Sequence, residues 1–441
     1  MPRFSIVVIA YNVDRYITDC LQSIERQTST DYEAIVVNDA STDRTKELIA
    51  PFASDNPRFR LIDKQENEGA HLARRTGALA STGDYLIFVD GDDRLSPTAC
   101  EVLGELARTH AVDILKFGRT VVPHTGIDDG EAFRAEHAFN VASAPAQGHE
   151  VLPALFSDDR PVRSTWSIID SVLKGEFARS AFAAMTDERL GRMQDSYETF
   201  VLASCAHSMC AVPDYHGLHY NYGAGISGQA MESLDAFERG ERGIRDSLTA
   251  TLAYSQACTH PDAPRCAAWL THQVHIVLVN EWLRRLTLED QATAVATVSE
   301  DWGRETAARI FADPLIGRCR WLVDNNLDPR EDALYPQWSQ AFHTLQATES
   351  ADPETQSKLS ELAALEAQLE QHVDQIEEAK REAERRREEE ERRQEEAERE
   401  RRRLFKAGTW QRRLLDRTMP EDGIARQAVR KVATLALRRH G

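Results

Sequence analysis

The chain is 441 residues long, with 53 Lys and Arg against 72 Asp and Glu and a formal net charge of −19. That length predicts roughly three structural units, and the acidic balance argues against a general nucleic-acid binder, whose phosphate contacts need clustered Lys and Arg. Seven scattered cysteines without a C-x-x-C pair argue against a disulfide scaffold and a structural zinc site, and fit a reducing cytoplasm.

Met1-Pro2-Arg3-Phe4 runs straight into a strand-like segment, without a signal-peptide pattern. Ser5 to Ala10 is a continuous apolar run, which suits a strand buried on both faces of a parallel sheet. Ile17, Cys20, Leu21 and Ile24 then mark one face of a helix. Ala34 to Val37 predicts a second strand, and Ser41 the N-cap of a helix through Leu48, Ile49 and Phe52. A third strand, Phe59 to Ile62, is followed by a helix from near Ala70 to before Gly83. A fourth, Tyr85 to Val89, runs into Asp90-Gly91-Asp92-Asp93, with another helix starting near Pro97. Strand and helix alternating in this way predict a parallel α/β sheet. Ligands of such sheets sit at the carboxyl ends of the strands. Tyr11, Asn12, Asp39, Asn67, Gly69 and the acidic tetrapeptide all fall there.

Residues 229–350 predict an α-helical domain, with Trp269, Val274, Ile276, Val277, Val279, Trp282 and Leu283 spaced for a buried helix, and Pro261, Pro264, Pro314 and Pro329 dividing the region. Over 351–407 the composition shifts to Glu, Arg, Gln and Ala. Leu362, Leu369, Ile376 and Ala383, with companions Leu365, His372 and Ala379, predict a coiled-coil seam and a homo-oligomer. Beyond Ala383 the seam is charged, and Glu/Arg pairs four residues apart support the helix. From Arg401 to Gly441, 12 Lys and Arg stand against 3 Asp and Glu, a local charge of +9 that leaves −28 on the rest. The segment 408–441 is a basic amphipathic tail, suited to an anionic membrane surface or to an acidic protein partner. No apolar run approaches the length of about 18 residues that a transmembrane helix needs. The expected location is the cytoplasm, with peripheral contact at the inner face of the membrane.

The D-x-D spacing of Asp90 and Asp92 on a turn suits one hard cation, Mg²⁺ or Mn²⁺, completed by water and phosphate oxygens. An Asp-rich turn before the next helix accounts for the same residues. A carboxylate at Asp39 suits the N3–H of a pyrimidine, and equally an Asx-turn or helix cap. Tyr11 suits stacking on a base, or filling the sheet edge.

Five segments occur in order: Phe4-Ser-Ile-Val-Val-Ile-Ala-Tyr-Asn12, Ile35-Val-Val-Asn-Asp-Ala-Ser-Thr-Asp43, Asn67-Glu-Gly-Ala70, Ala73-Arg-Arg-Thr-Gly77 and Gly83-Asp-Tyr-Leu-Ile-Phe-Val-Asp-Gly-Asp-Asp93. Together they resemble glycosyltransferase family 2, tightly over residues 4 to about 118 and more loosely to 228. The resemblance implies a GT-A domain over 1–228, with a Rossmann-like, mostly parallel sheet. It also implies inverting transfer from a nucleotide-diphosphate sugar, a UDP-sugar above all. By resemblance Tyr11 and Asp39 contact the base, Asp90 the ribose, and Asp92 the metal bridging the diphosphate. Asn12, Asn67, Gly69 and Arg75 fall among donor contacts, and Asp93 beside the metal. Inversion needs a general base on the acceptor hydroxyl, and Asp195 in Arg192-Met193-Gln194-Asp195-Ser196-Tyr197-Glu198 matches the family base. Helix capping is the other use of an aspartate there. Gln194 replaces the usual Glu, Glu198 one turn on is a substitute base, Gly91 replaces a commoner Ser, and Arg75 a usual Asn. His219 to Ser227 resembles the segment that closes the acceptor side, so His219 and Ser227 are candidates for diphosphate or metal contact.

The expectation is therefore a metal-dependent inverting glycosyltransferase acting on a cell-surface glycan or its lipid-linked precursor. The alternative is a catalytically degenerate GT-A domain serving as a coiled-coil assembly scaffold. A sugar nucleotidyltransferase shares the sheet but lacks support, because no Gly-rich loop with a basic signature follows the first strand.

Overall fold

Strands that read as unbroken apolar runs need cover on both faces, and the chain supplies it with alternating helices. β1 (Phe4–Ala10), α1 (Ile17–Glu25), β2 (Tyr32–Asn38), α2 (Thr45–Asp55), β3 (Phe59–Asp63), α3 (Ala70–Ala80) and β4 (Tyr85–Asp90) follow in the expected order. In the computed structural model, which describes residues 3–225, 231–347, 349–418 and positions 428 and 431, β1 lies between β2 and β4, parallel to both, and β3 extends the parallel set beyond β2.

The second half of the sheet departs from the parallel expectation. After β5 (Arg94–Leu95), α4 (Ala99–His110), β6 (Ile114–Pro123), α5 (Asp129–Phe139), β7 (Ala146–Gln147) and α6 (Val151–Phe156), the short strand β8 (Ser171–Lys174) inserts antiparallel between β4 and β6. α7 (Gly175–Ala184) and α8 (Gln194–Cys205) lead to β9 (Ser208–Tyr222), which runs parallel to β6 and antiparallel to β5 and β7. The order is β3-β2-β1-β4-β8-β6-β9-β5, so the sheet is mixed.

One capping expectation is corrected. α2 begins at Thr45, not after Ser41, because the Asp43 carboxylate accepts from the Thr45 N–H at 2.9 Å. Ser41 instead accepts from the Asn12 N–H at 3.1 Å, tying the β1 and β2 loops together.

Residues beyond the sheet are helical: α9 (Leu234–Ala257), α10 (Ala263–Arg285), α11 (Leu288–Trp302), α12 (Arg304–Asp324) and α13 (Tyr335–His343). Their core is built on Trp282, whose ring centroid lies 5.0 Å from those of Phe311 and Trp338. Its indole N–H donates to the Gln291 carbonyl, and Trp338 to the Gln291 side chain, so both polar edges are satisfied on burial. The buried face of α10 runs through Cys266, Leu270, Val274, Leu278 and Trp282, while Ile276 is exposed. Pro314 lies inside α12 and does not divide it as expected.

α14 spans Pro353–Thr418, passing through Gly408 without a break. Leu359, Leu362 and Leu369, read as seam positions or their neighbours, are buried within the single chain. This removes much of the apolar stripe on which a coiled coil was expected. Every residue from 378 to 403 is exposed, and Glu377–Arg381, Glu382–Arg386, Glu395–Arg399 and Glu398–Arg402 pair one turn apart.

Two compact units result, one of residues 1–318 with 333–362, the other of 319–332 with 363–441. In the second, Arg330 joins Asp328 at 2.8 Å and Glu377 at 2.6 Å. Of the predicted basic tail, 419–427, 429–430 and 432–441 lie outside the described residues. Among the described residues, no helix is long and apolar enough to cross a membrane.

Candidate active site

β4 delivers Asp90 to the carboxyl edge of the sheet, and the turn after it gathers Asp90, Asp92 and Asp93. One carboxylate oxygen from each lies within 4.8 Å of the others. Asp93 is 1% exposed, and its Oδ1 accepts from the Asn221 N–H at 2.8 Å. Its Oδ2 is buried without a hydrogen-bond partner. Burial, then the neighbouring Asp90, pushes the Asp92 carboxyl up to about 6, and burial, then Asp92 and Asp90, raises that of Asp93 well above the usual range. Three converging acids, one with an orphaned oxygen, are an all-oxygen donor set that fits a divalent cation, which would reverse this repulsion.

Asp90 is held from below by a buried ion network. Arg74, on the inner face of α3, donates to Asp90 Oδ1 at 2.9 Å and to Glu198 Oε2 at 3.3 Å. His71, one turn earlier, stands 3.0 Å from Glu198 Oε1 and 3.0 Å from the Thr186 carbonyl. Burial opposes the Arg74 charge, but Asp90 and Glu198 outweigh it and hold the guanidinium protonated.

Asp195 is half-buried in the first turn of α8. Its Oδ1 accepts from the Ser196 N–H at 2.9 Å. Burial pushes its carboxyl up to about 6, against the pull of Arg74 and with a smaller push from Glu198. A carboxylate poised there is a competent general base near neutral pH. The Gln194 Oε1 beside it is buried without a partner.

On the β1–β2 side, Tyr11 is 46% exposed and open to stacking. Asn12, with φ +53, is exposed, and its side-chain oxygen accepts from the Thr42 N–H at 2.8 Å, which pins the two loops together. Asp39 is buried. Its oxygens accept from Asn67 Nδ2 and the Gly69 N–H, each at 2.8 Å, and from the Glu68 N–H at 3.1 Å. It is therefore the post around which the Asn67–Gly69 loop folds. Gly69 takes φ +89, which L side chains rarely adopt, so this turn needs glycine.

Three further expectations are corrected. Arg75 points away from the acids and donates to the Phe182 carbonyl at 3.0 Å, at the end of α7. Glu198 is 0% exposed and fully engaged by His71 and Arg74, so it has no access to an acceptor hydroxyl. His219 stands opposite Arg94, 3.4 Å from Ser96 Oγ, and lines a separate cavity of about 340 Å³ with Asp19, Gln22, Arg26 and Arg94. Burial, then Arg94, lowers its pKa, and it is not part of the acidic group. Ser227 lies outside the described residues.

The end of β9 reaches the acids through Asn221, whose side-chain amide donates to the Asp92 carbonyl. Sequence reasoning also missed Arg74, His71 and Arg189, the last donating to Asn67 Oδ1 at 2.7 Å. The signal for Arg74 and His71 was present in the apolar face of α3, which they share with Ala73 and Gly77.

A mixed α/β sheet with an acidic turn at the carboxyl end of its fourth strand, followed by helices, is the GT-A architecture. S. aureus TarS 1–349 shares the fold at a TM-score of 0.50 with 16% identity, over 79% of this chain and 93% of that one. Residues 5–140 match the model of glycosyl transferase family 2. An uncharacterized glycosyltransferase, EpsJ of Bacillus subtilis (strain 168), is 40% identical over 131 residues, 28% of this chain and 38% of that protein. A chondroitin synthase of Escherichia coli is 37% identical over 102 residues, 23% of this chain and 15% of that one. The chain thus spans well under two thirds of these relatives' length.

Proposed function

We propose that the protein transfers a sugar, with inversion, from a nucleotide-diphosphate sugar, foremost a UDP-sugar, to a cell-surface glycan or its lipid-linked precursor. The observation that carries this reading is the acidic triad joined through Arg74 and Glu198 to the helix bearing Asp195. Asp90, Asp92 and Asp93 would hold Mn²⁺ or Mg²⁺, which when bound neutralises charge on the departing diphosphate. Asp195 takes the proton of the acceptor hydroxyl. Its proton affinity, raised by burial, suits it to do so near pH 7. Tyr11 supports the base by stacking, and the Asn67–Gly69 loop, held by Asp39 and Arg189, lines the donor side. The glycan named in the chondroitin synthase relative supports the acceptor class. The basic tail is proposed to meet an anionic membrane surface at its inner face.

Hydrolysis of a panel of UDP- and GDP-sugars by the full chain, with and without Mn²⁺, tests this. Turnover is expected to need the metal, and Asp92→Ala and Asp195→Asn are each expected to cut it by at least about 10². Undiminished turnover in both variants would overturn the assignment. A second reading, a degenerate scaffold, is favoured by Gln194 in place of the usual Glu. Metal-enhanced, saturable UDP binding by calorimetry counts against it.

A further inference from the structure

The helix that carries Asp195 does not start from the sheet alone. Its approach, Gly191 to Met193, is seated on α9 and α10. Ser247 of α9 donates its hydroxyl to the Arg192 carbonyl at 2.6 Å. The Arg192 guanidinium pairs with Glu281 of α10, and Glu281 also stands 3.8 Å from Arg285. Arg285 pairs with Glu232, and its carbonyl accepts from the Glu232 N–H at 2.8 Å. Arg192 and Glu281 are only 12% and 14% exposed, so water screens their attraction weakly.

At Gly243 the contact between α9 and this loop leaves no room for a Cβ, which would stand 2.7 Å from the Arg192 backbone nitrogen. The Arg192 guanidinium lies over Gly240, 2.8 Å from where a Cβ would stand. The next residue, Met193, takes φ +55, a conformation costly for a long side chain. Its carbonyl accepts from both the Ser196 N–H at 3.0 Å and the Ser196 hydroxyl at 2.7 Å. Backbone strain of this kind persists only where the surroundings over-determine it, and it gathers at functional sites. Here the surroundings are the glycines, Ser247 and Glu281, and the strained residue lies two positions before Asp195.

We propose that α9 and α10 form a brace that fixes Asp195 against the donor site, with Arg192 and Glu281 as positioning residues. The proposal rests on Asp195 being the general base. It makes the helical region, which contributes no carboxylate to the metal triad, a working part of the transferase. A misplacement of about 1 Å at a reacting group costs on the order of 10²-fold in rate, so loosening Arg192 is read in turnover before it is read in donor binding.

The test uses the full chain and three readouts: turnover of the nucleotide sugar it hydrolyses best, UDP binding with Mn²⁺ by calorimetry, and hydrogen exchange at the amides of residues 191–197. Glu281→Gln and Arg192→Leu are each expected to lower kcat about 10- to 10²-fold. KM and UDP affinity should stay within about twofold, and exchange at 191–197 should rise. Gly243→Ala, which touches no charge, should act in the same way. Arg192→Glu combined with Glu281→Arg should regain about tenfold or more over either single charge change. Full kcat in Glu281→Gln and Gly243→Ala overturns the brace. So does a loss of kcat matched by loss of UDP affinity, with no recovery in the double variant. Asp195→Asn separates the two claims. If it stays active, the base assignment falls whatever the brace variants do. If it is inactive while Glu281→Gln and Gly243→Ala keep full kcat, the brace falls alone.

Discussion

Asp92 and Asp195 both carry carboxyls pushed up to about 6, chiefly by burial. A carboxyl that binds its proton more tightly folded than unfolded, where its pKa is about 3.9, favours folding as pH falls. The penalty for ionising these two groups therefore grows as pH rises through 6 and is full above it. Bound Mn²⁺ offsets the part at Asp92, because only the ionised carboxylate is a ligand. Without metal, the wild-type Tm relative to Asp92→Asn should rise between pH 7.5 and 5.5, a difference that cancels most other carboxylates. Mn²⁺ should raise the wild-type Tm more at pH 7.5 than at 5.5, and hardly at all in Asp92→Asn; scanning calorimetry reads both. The kcat/KM profile should fall on the acid side near pH 6, as Asp195 takes up its proton.

Helices α3 and α8 are joined by one buried acid. Glu198→Ala would leave Arg74 and His71 without that partner, and removing one member of a buried pair costs about 3–5 kcal/mol. Urea unfolding of this variant should show a loss of that size, with Glu198→Gln losing less. Such a tie was not legible in the sequence, for a geometrical reason. Neighbouring residues on a helix point about 100° apart, so Arg74 and Arg75 look alike until the buried face of α3 is known. Family resemblance drew the donor role to Arg75, and the fold gives the acid-side position to Arg74. The parallel strands β1 to β4 were readable because burial on both faces leaves unbroken apolar runs. β8 was not, since four residues, Ser171–Lys174, make too short a run to set a register or direction. The acidic triad was legible as a motif, but its lid was not. Asn221 is a polar residue at the end of a strand, and only the pairing of β5 with β9 brings it to Asp93.

At the scale of the whole molecule, the heptads say that a helix face is covered, not by what. Leu359, Leu362 and Leu369 are covered in the single chain. Light scattering on the full chain and on one truncated at Ser350 should therefore give monomeric masses for both; a dimer only in the longer form would restore the seam. The bare stretch 378–403 has another consequence. At 1.5 Å per residue these 26 residues reach roughly 40 Å, whereas a flexible chain of that length averages roughly 28 Å with wide spread. Anything grasped beyond Arg403 is thus kept at a set standoff from the Arg330–Glu377 pair, where the bare stretch begins. The charged helix works as a ruler, and its gradations are ion pairs that salt can soften.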